Sequence, residues 1–189
     1  MASRSKASQS KASQESSGAA RLFLINDHLN QLILEHLDPA AWQARPPGKV
    51  RTIAAIVTHL HNIRIKWIRL SAPHLDLPPQ LHRSHCTLTQ ARTALHQSAQ
   101  GCANLLAGAL DATPPTIPTF RRDGYAGRPW PPSLDMLAYM LTHEAHHRGQ
   151  ICLLAHQLNY PLPSQVNYNL WDWEKLWPTH GSPKSSSPA

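Results

Sequence analysis

The sequence predicts an all-α protein: a four-helix bundle with long Pro-rich loops, a short C-terminal helix and disordered tails. Three observations carry that prediction. Apolar residues recur every three or four positions in four separate runs, which is the period of a helix face. No segment alternates apolar and polar residues with the period of two that a half-buried strand requires. The 17 prolines cluster between the periodic runs, where they end helices rather than interrupt them. Facing amphipathic helices with no sheet to cover make a bundle.

The chain opens on a Ser/Lys-rich stretch, residues 1–19, with a repeated SKASQ and almost nothing apolar after Met1. Too little apolar surface is present to offset the entropy of ordering, so this stretch reads as a disordered tail. The bundle occupies residues 20–177. Its first helix runs from about Arg21 to His36, with Leu22, Ile25, Leu29, Leu32 and His36 on the seam and Asn26, Asn30 and Glu35 off it. Residues 37–51 form a loop with its own short turn, closed to helix continuation by Pro46 and Pro47. The second helix starts near Thr52 and carries Ile53, Ile56, Leu60, Ile63 and Trp67 on its inner face to about Leu70. His59 lies one turn from both Ile56 and Ile63 and faces inward. His61 lies about 200° around the helix from His59 and points elsewhere.

After a Pro-rich connection, Thr87 with Gln90 forms a capping box that opens the third helix, which ends near Leu110. Leu88, Ala91, Leu95, Ser98, Cys102, Leu105 and Ala109 form its inner face, with small residues that permit close approach of a neighbour. Residues 111–132 have no periodicity, and Phe120, Tyr125 and Trp130 make them sticky enough to cover a pocket. Ser133 caps the fourth helix, Asp135 suits its first turn, and Asn159 with Pro161 ends it. A short helix follows over 170–176, with Tyr168, Trp171, Trp173 and Trp177 packing on the bundle or on a partner subunit. Residues 178–189 are a second polar, disordered tail.

Bulk properties narrow the function. A formal charge of +7 invites anionic partners, but part of it lies in the tail, where Arg4, Lys6 and Lys11 face only Glu15. The remainder is scattered apart from Arg64, Lys66 and Arg69, and no basic stripe carries interleaved aromatics. Nucleic acid is therefore not expected as a partner. Cys86, Cys102 and Cys152 form no disulfide framework, which makes a reducing cytoplasm the default. No apolar run reaches the length of a membrane span.

The chemistry concentrates on the fourth helix. Its seam of Met136, Met140, Ile151, Leu154 and Leu158 is broken by His143 and His147, stacked one turn apart. Neutral imidazole is the commonest metal-ligating side chain, and this spacing turns two rings toward one ion. With His59 from the second helix, three nitrogens are available for a divalent metal. Zn²⁺ suits them, and Ni²⁺, Fe²⁺ or Mn²⁺ are equally compatible with three imidazoles. Such a site keeps positions open for water or substrate. His146 sits about 100° from His147 and is placed outside the ligand set.

His143, Glu144 and His147 also spell H-E-x-x-H, the metalloprotease helix in which Glu144 would be general base. The supporting pattern is missing: Gln150 and Leu153 stand where a longer protease motif has Gly and His, and no strand is present to receive a peptide. An exposed helix carboxylate is the simpler reading of Glu144. Arg148 and Gln150 either orient a ligand or bind an anionic substrate, or else make a surface ion pair and a polar contact to the next helix, which is the preferred reading. Gly149 is read as allowing close helix packing.

The run TIAAIVTH ending at His59, then Trp67, then His143-x3-His147-Arg148-Gly149-Gln150, resembles the DinB/YfiT-like family of metal-binding four-helix bundles. The closing LNYPLP and the Trp171-Asp172-Trp173 tail resemble one branch of it, and the similarity spans about residues 20–177. Relatives usually have Gly where Asn159 stands, a change a left-handed cap tolerates. The resemblance implies one divalent metal held by His59, His143 and His147, and often a homodimer. It also implies a thiol S-transferase or isomerase acting on an electrophilic substrate with bacillithiol, mycothiol or glutathione, or a hydrolase. A bundle that binds metal or ligand without catalysis remains the alternative.

Overall fold

A computed structural model describes the backbone of residues 3–111 and 134–179, with side chains over 18–110 and 134–176. The loop with Phe120, Tyr125 and Trp130, the Ser133 cap, the side chain of Trp177 and residues 180–189 lie outside the described residues. Four long helices, α1 (Ser3–Glu35), α2 (Ile53–Ser71), α3 (Leu88–Asp111) and α4 (Leu134–Gln157), are followed by short α5 (Ser164–Asn169) and α6 (Trp173–Thr179). Among the described residues there is no strand. The all-α architecture expected from periodicity is what the chain adopts.

Local chemistry sets the ends. Thr52 caps α2 by accepting from the Ala55 amide at 3.1 Å. Thr87 and Gln90 bond reciprocally, at 3.1 and 2.9 Å, as the capping box requires. At the other end of α4, Asn159 takes φ 64°, the left-handed conformation that ends a helix and that Asn tolerates.

Several expectations need correction. Helix α1 begins at Ser3 rather than near Arg21. Its added turns hold no proline to stop the helix. The seam of α1 is broader than a bundle stripe: Phe23, Asn26, Asp27, Asn30, Ile33 and Leu34 are buried, whereas His36 is exposed. The single helix expected over 170–176 is two short ones, parted by a turn at Trp171. Tyr168 and Trp171 do not pack on the bundle; they are 78% and 82% exposed. Gly149 faces open space, so it mediates no close packing. Gly101 does: a Cβ there would stand 2.6 Å from Ile68 Cδ1, where α3 meets α2.

Helix α3 packs on α1 and α2, and α4 closes against the same two helices. The buried apolar residues fall into two main clusters. One gathers Ile33, Leu34, Ile53, Ile56, Leu60, Leu95, Ile151 and Leu154. The other gathers Phe23, Trp67, Ile68, Leu105, Leu106, Met136 and Met140. Every long helix also carries buried polar residues between these clusters: Asn26, Asp27 and Asn30 on α1, Arg64 on α2, Ser98 on α3, Glu144 and His147 on α4. A polar layer therefore crosses the middle of the bundle.

Candidate metal centre

Arg64 organises that layer. It belongs to the basic run with Lys66 and Arg69, yet it is wholly buried. Its Nε and Nη2 donate to the two oxygens of Glu144 at 2.7 and 2.6 Å, a fork-to-fork pair. Its Nη1 donates to Asp27 Oδ1 at 2.8 Å and to the Leu95 carbonyl at 2.7 Å.

Glu144 is correspondingly not the exposed carboxylate expected. It has no solvent exposure, and Oε2 also accepts from Asn26 Nδ2 at 2.5 Å and Asn30 Nδ2 at 2.7 Å. With the two bonds from Arg64, four donors engage the carboxylate, three on Oε2 and one on Oε1. Burial acts to raise its pKa, but the Arg64 charge and hydrogen bonds overrule that and hold it below the usual carboxylate range. Arg148 closes the layer from the α4 side by donating through Nη1 to Asn26 Oδ1 and Asn30 Oδ1. Among the described residues it makes no surface ion pair; it braces the two asparagines that hold Glu144. Two cations and two carboxylates thus sit in the layer, each with a partner, which is how charges survive away from water.

On one side of this layer His59, His143 and His147 converge. One nitrogen from each lies within 4.8 Å of the other two. The ring centroids are 5.5 Å apart for His59–His143, 5.0 Å for His59–His147 and 4.7 Å for His143–His147. Tetrahedral Zn–N bonds of about 2.0–2.1 Å put nitrogens about 3.4 Å apart, so each ring has less than about 1 Å to draw in. Burial first, then neighbouring imidazoles, push His59 and His143 down to a pKa of about 4. Arg51 contributes to the lowering of both His59 and His147. All three rings are therefore neutral at physiological pH, as ligands must be.

The surroundings fit a cation. Nδ1 of His143 is buried with no hydrogen-bond partner among the described residues, so its lone pair is not committed elsewhere. Trp67 meets the His143 ring edge to face at 5.6 Å, and Tyr139 stacks near it at 6.2 Å, which restricts its rotation. Gln150 Oε1 lies 2.7 Å from His147 Nδ1. An amide oxygen only accepts, so Nδ1 carries the proton and Nε2 keeps its lone pair for a metal. The same amide donates from Nε2 to His146 Nε2 at 3.0 Å, which engages His146 away from the cluster.

The structure brings together the three histidines picked out by spacing and keeps His61 apart. His61 is buried against α3, with its ring nitrogens 3.1 Å from Ser98 Oγ and 2.9 Å from the Pro79 carbonyl. Among the described residues Gln150 makes no contact to the next helix of the kind expected; it holds the His147 ring. Its position three residues after His147, on the same face, was the available signal. The protease reading loses its general base, because the carboxylate of Glu144 is taken up by Arg64, Asn26 and Asn30. Reasoning from spacing missed Asn26, Asn30, Asp27 and Arg64 altogether.

Comparison with curated proteins and with solved structures found no match to this chain. Against models of protein families, residues 17–175 match the one described as the DinB family. That span holds α2, α4, all three histidines and the part of α1 that carries Asn26, Asp27 and Asn30. With this match over most of the sequence, a helical bundle and a histidine triad able to hold a metal, the chain belongs to the DinB family.

Proposed function

We propose that the chain is a divalent-metal-dependent enzyme, a thiol S-transferase or hydrolase in which the histidine site activates a nucleophile against an electrophilic small molecule. The observation that carries this reading is the convergence of three neutral imidazoles from two helices, beside a cleft of about 430 Å³ that His59 lines. A divalent ion there would lower the pKa of a bound thiol or water toward neutrality. His59, His143 and His147 would hold it with positions left open for substrate. Gln150 fixes the tautomer of His147, while Trp67 and Tyr139 limit the motion of His143. The pairing of Arg64 with Glu144 ties α4 to α2 and sets the height of His143 and His147 against His59.

Glu144 is committed to Arg64, and among the described residues no other carboxylate joins the three histidines. A thiol ionised by metal needs no side-chain base, whereas attack by water gains from one. That favours thiol transfer over hydrolysis. The proposal includes Zn²⁺, Ni²⁺, Fe²⁺ or Mn²⁺ as the ion, a cytoplasmic location and a homodimer that covers the exposed Tyr168 and Trp171. Among the described residues no helix is long and apolar enough to cross a membrane.

Metal analysis of the purified protein tests the reading. About one divalent ion per chain is expected, and it should be lost in His59→Ala and in His147→Ala. Unchanged metal content in both variants refutes the site. A metal-loaded protein inert toward low-molecular-weight thiols with model electrophiles, and toward esters, would favour the non-catalytic bundle.

A further inference from the structure

The wall of the cleft beside His59 is cationic in a way that the metal does not explain. The cleft is lined by Arg51, His82 and Arg83 together with Thr58, Asn62 and Leu81. A second hollow of about 590 Å³ shares Arg51, Ala55 and Arg83 with it and adds Arg45 and Lys49. The two form one trough that runs from His59 outward along the start of α2. Arg45, Lys49, Arg51 and Arg83 are all exposed, none makes an ion pair among the described residues, and no acidic side chain lines either hollow. Unpaired cations facing one concavity repel each other and raise the local concentration of anions. Arg51 stands close enough to the centre to depress both His59 and His147.

The walls are built, not loose. Asn62 bonds Leu81 twice, Nδ2 to its carbonyl at 2.9 Å and Oδ1 from its amide at 3.0 Å, which fastens the segment carrying His82 and Arg83 to α2. Gln43 Nε2 donates to the Arg83 carbonyl at 3.1 Å and joins the two walls of the trough. Trp42 Nε1 donates to the Cys86 carbonyl at 3.0 Å behind them. Cations on a fastened frame meet an anion with less ordering cost than cations on a free loop.

We infer that this trough is the substrate-recognition subsite, and that it takes a small molecule bearing two or more negative charges, carboxylates or a phosphate, with its reactive end at the histidines. This rests on the proposed function for the identity of the reacting end, but the anion site itself stands on the trough. Arg51 and Arg83 line both hollows and would hold the charge nearest the centre; Arg45 and Lys49 would hold the outer one. Guanidinium forks match either oxyanion.

The test is calorimetric titration of the full chain, zinc-loaded and metal-free, with succinate, inorganic phosphate and the uncharged succinamide. Succinate or phosphate should bind both forms, and succinamide neither. Affinity should fall several-fold between about 50 and 200 mM salt, because exposed charges are screened over about 8–10 Å. Arg51→Glu/Arg83→Glu should weaken binding at least about tenfold, as expected when like charges replace complementary ones. His59→Ala should bind the anion as the parent does. Whichever of succinate and phosphate binds more tightly identifies the oxyanion. Equal binding of succinate and succinamide, or no loss in the double variant, overturns the inference. Binding only to the zinc-loaded form, abolished by His59→Ala, would place the anion on the metal and also overturn it. Anion binding in a protein that holds no metal would leave the trough standing and remove the proposed function.

Discussion

Replacing Glu144 by Gln gives the sharpest test of the polar layer. The carboxylate accepts two bonds from Arg64 and one each from Asn26 and Asn30, all inside the bundle. A glutamine of the same shape keeps one acceptor oxygen and turns an amide group with two donors toward Arg64 or the asparagines. One charge-assisted contact becomes donor against donor, and Arg64 is left with Asp27 as its only buried counter-charge. Hydrogen bonds to charged groups are worth about 1.5–3 kcal/mol each, and breaking a buried ion pair costs about 3–5 kcal/mol. The expected loss is therefore about 3–5 kcal/mol, a large share of the 5–15 kcal/mol typical of a domain. For a bundle of this length that lowers Tm by about 6–20 °C. Urea and thermal unfolding followed by circular dichroism read it, with Arg64→Met/Glu144→Leu as the partner variant. The double change should cost less than the sum of the two single changes, because the Arg64–Glu144 coupling is lost once rather than twice, while Asp27 keeps only His96 as a partner. A cost under about 1 kcal/mol for Glu144→Gln, the size of a surface substitution, would refute the buried pairing. So would a double variant whose loss equals the sum of the singles.

Other predictions follow from the same geometry. Gln150→Leu frees the His147 tautomer and should weaken metal affinity about 10–100-fold in competition with a chelating dye, while His146→Ala should leave the affinity close to the parent's. Thr52→Ala removes the cap of the helix that carries His59 and should cost about 1 kcal/mol in urea unfolding. In the metal-free protein His59 and His143 are lowered from 6.5 to about 4, so between those values the unfolded chain binds more protons than the folded one. The stability of the metal-free form should therefore rise with pH from about 4 to 6.5 and level off above, seen as urea midpoints across a pH series. A midpoint that falls over that window would contradict the buried, neutral rings. The same shift should let the ligands keep a metal at pH 5.5, where an unperturbed histidine is mostly protonated.

The helices and the metal ligands could be read from the chain because both depend on local spacing. His143 and His147 are four residues apart on one helix, and no fold other than helix turns both toward one point. His59 is placed inward by Ile56 and Ile63 on its own turn. Capping at Thr52, Thr87 and Asn159 is equally local, and each appears where the residue types put it.

Burial of a polar residue is not a local property. Asn26 and Asn30 looked like the wet side of a stripe, Arg64 like one member of a basic run and Glu144 like either an exposed carboxylate or a protease base. Each reading assumed that a charge stays in water unless it has a partner. The partners are 80 positions away for Arg64 and Glu144, and 118 and 114 positions away for Asn26 and Asn30. Only the packing of α1, α2 and α4 brings them within bonding distance, and only then does burying them become tolerable. The trough is of the same kind: Arg51 and Arg83 are unremarkable in sequence and become one cationic wall when the segment around Leu81 folds back on α2. By itself the sequence determined which helices form and which histidines can ligate. Tertiary structure decided which charges are buried, since a charge loses its water only where a partner from another helix replaces it.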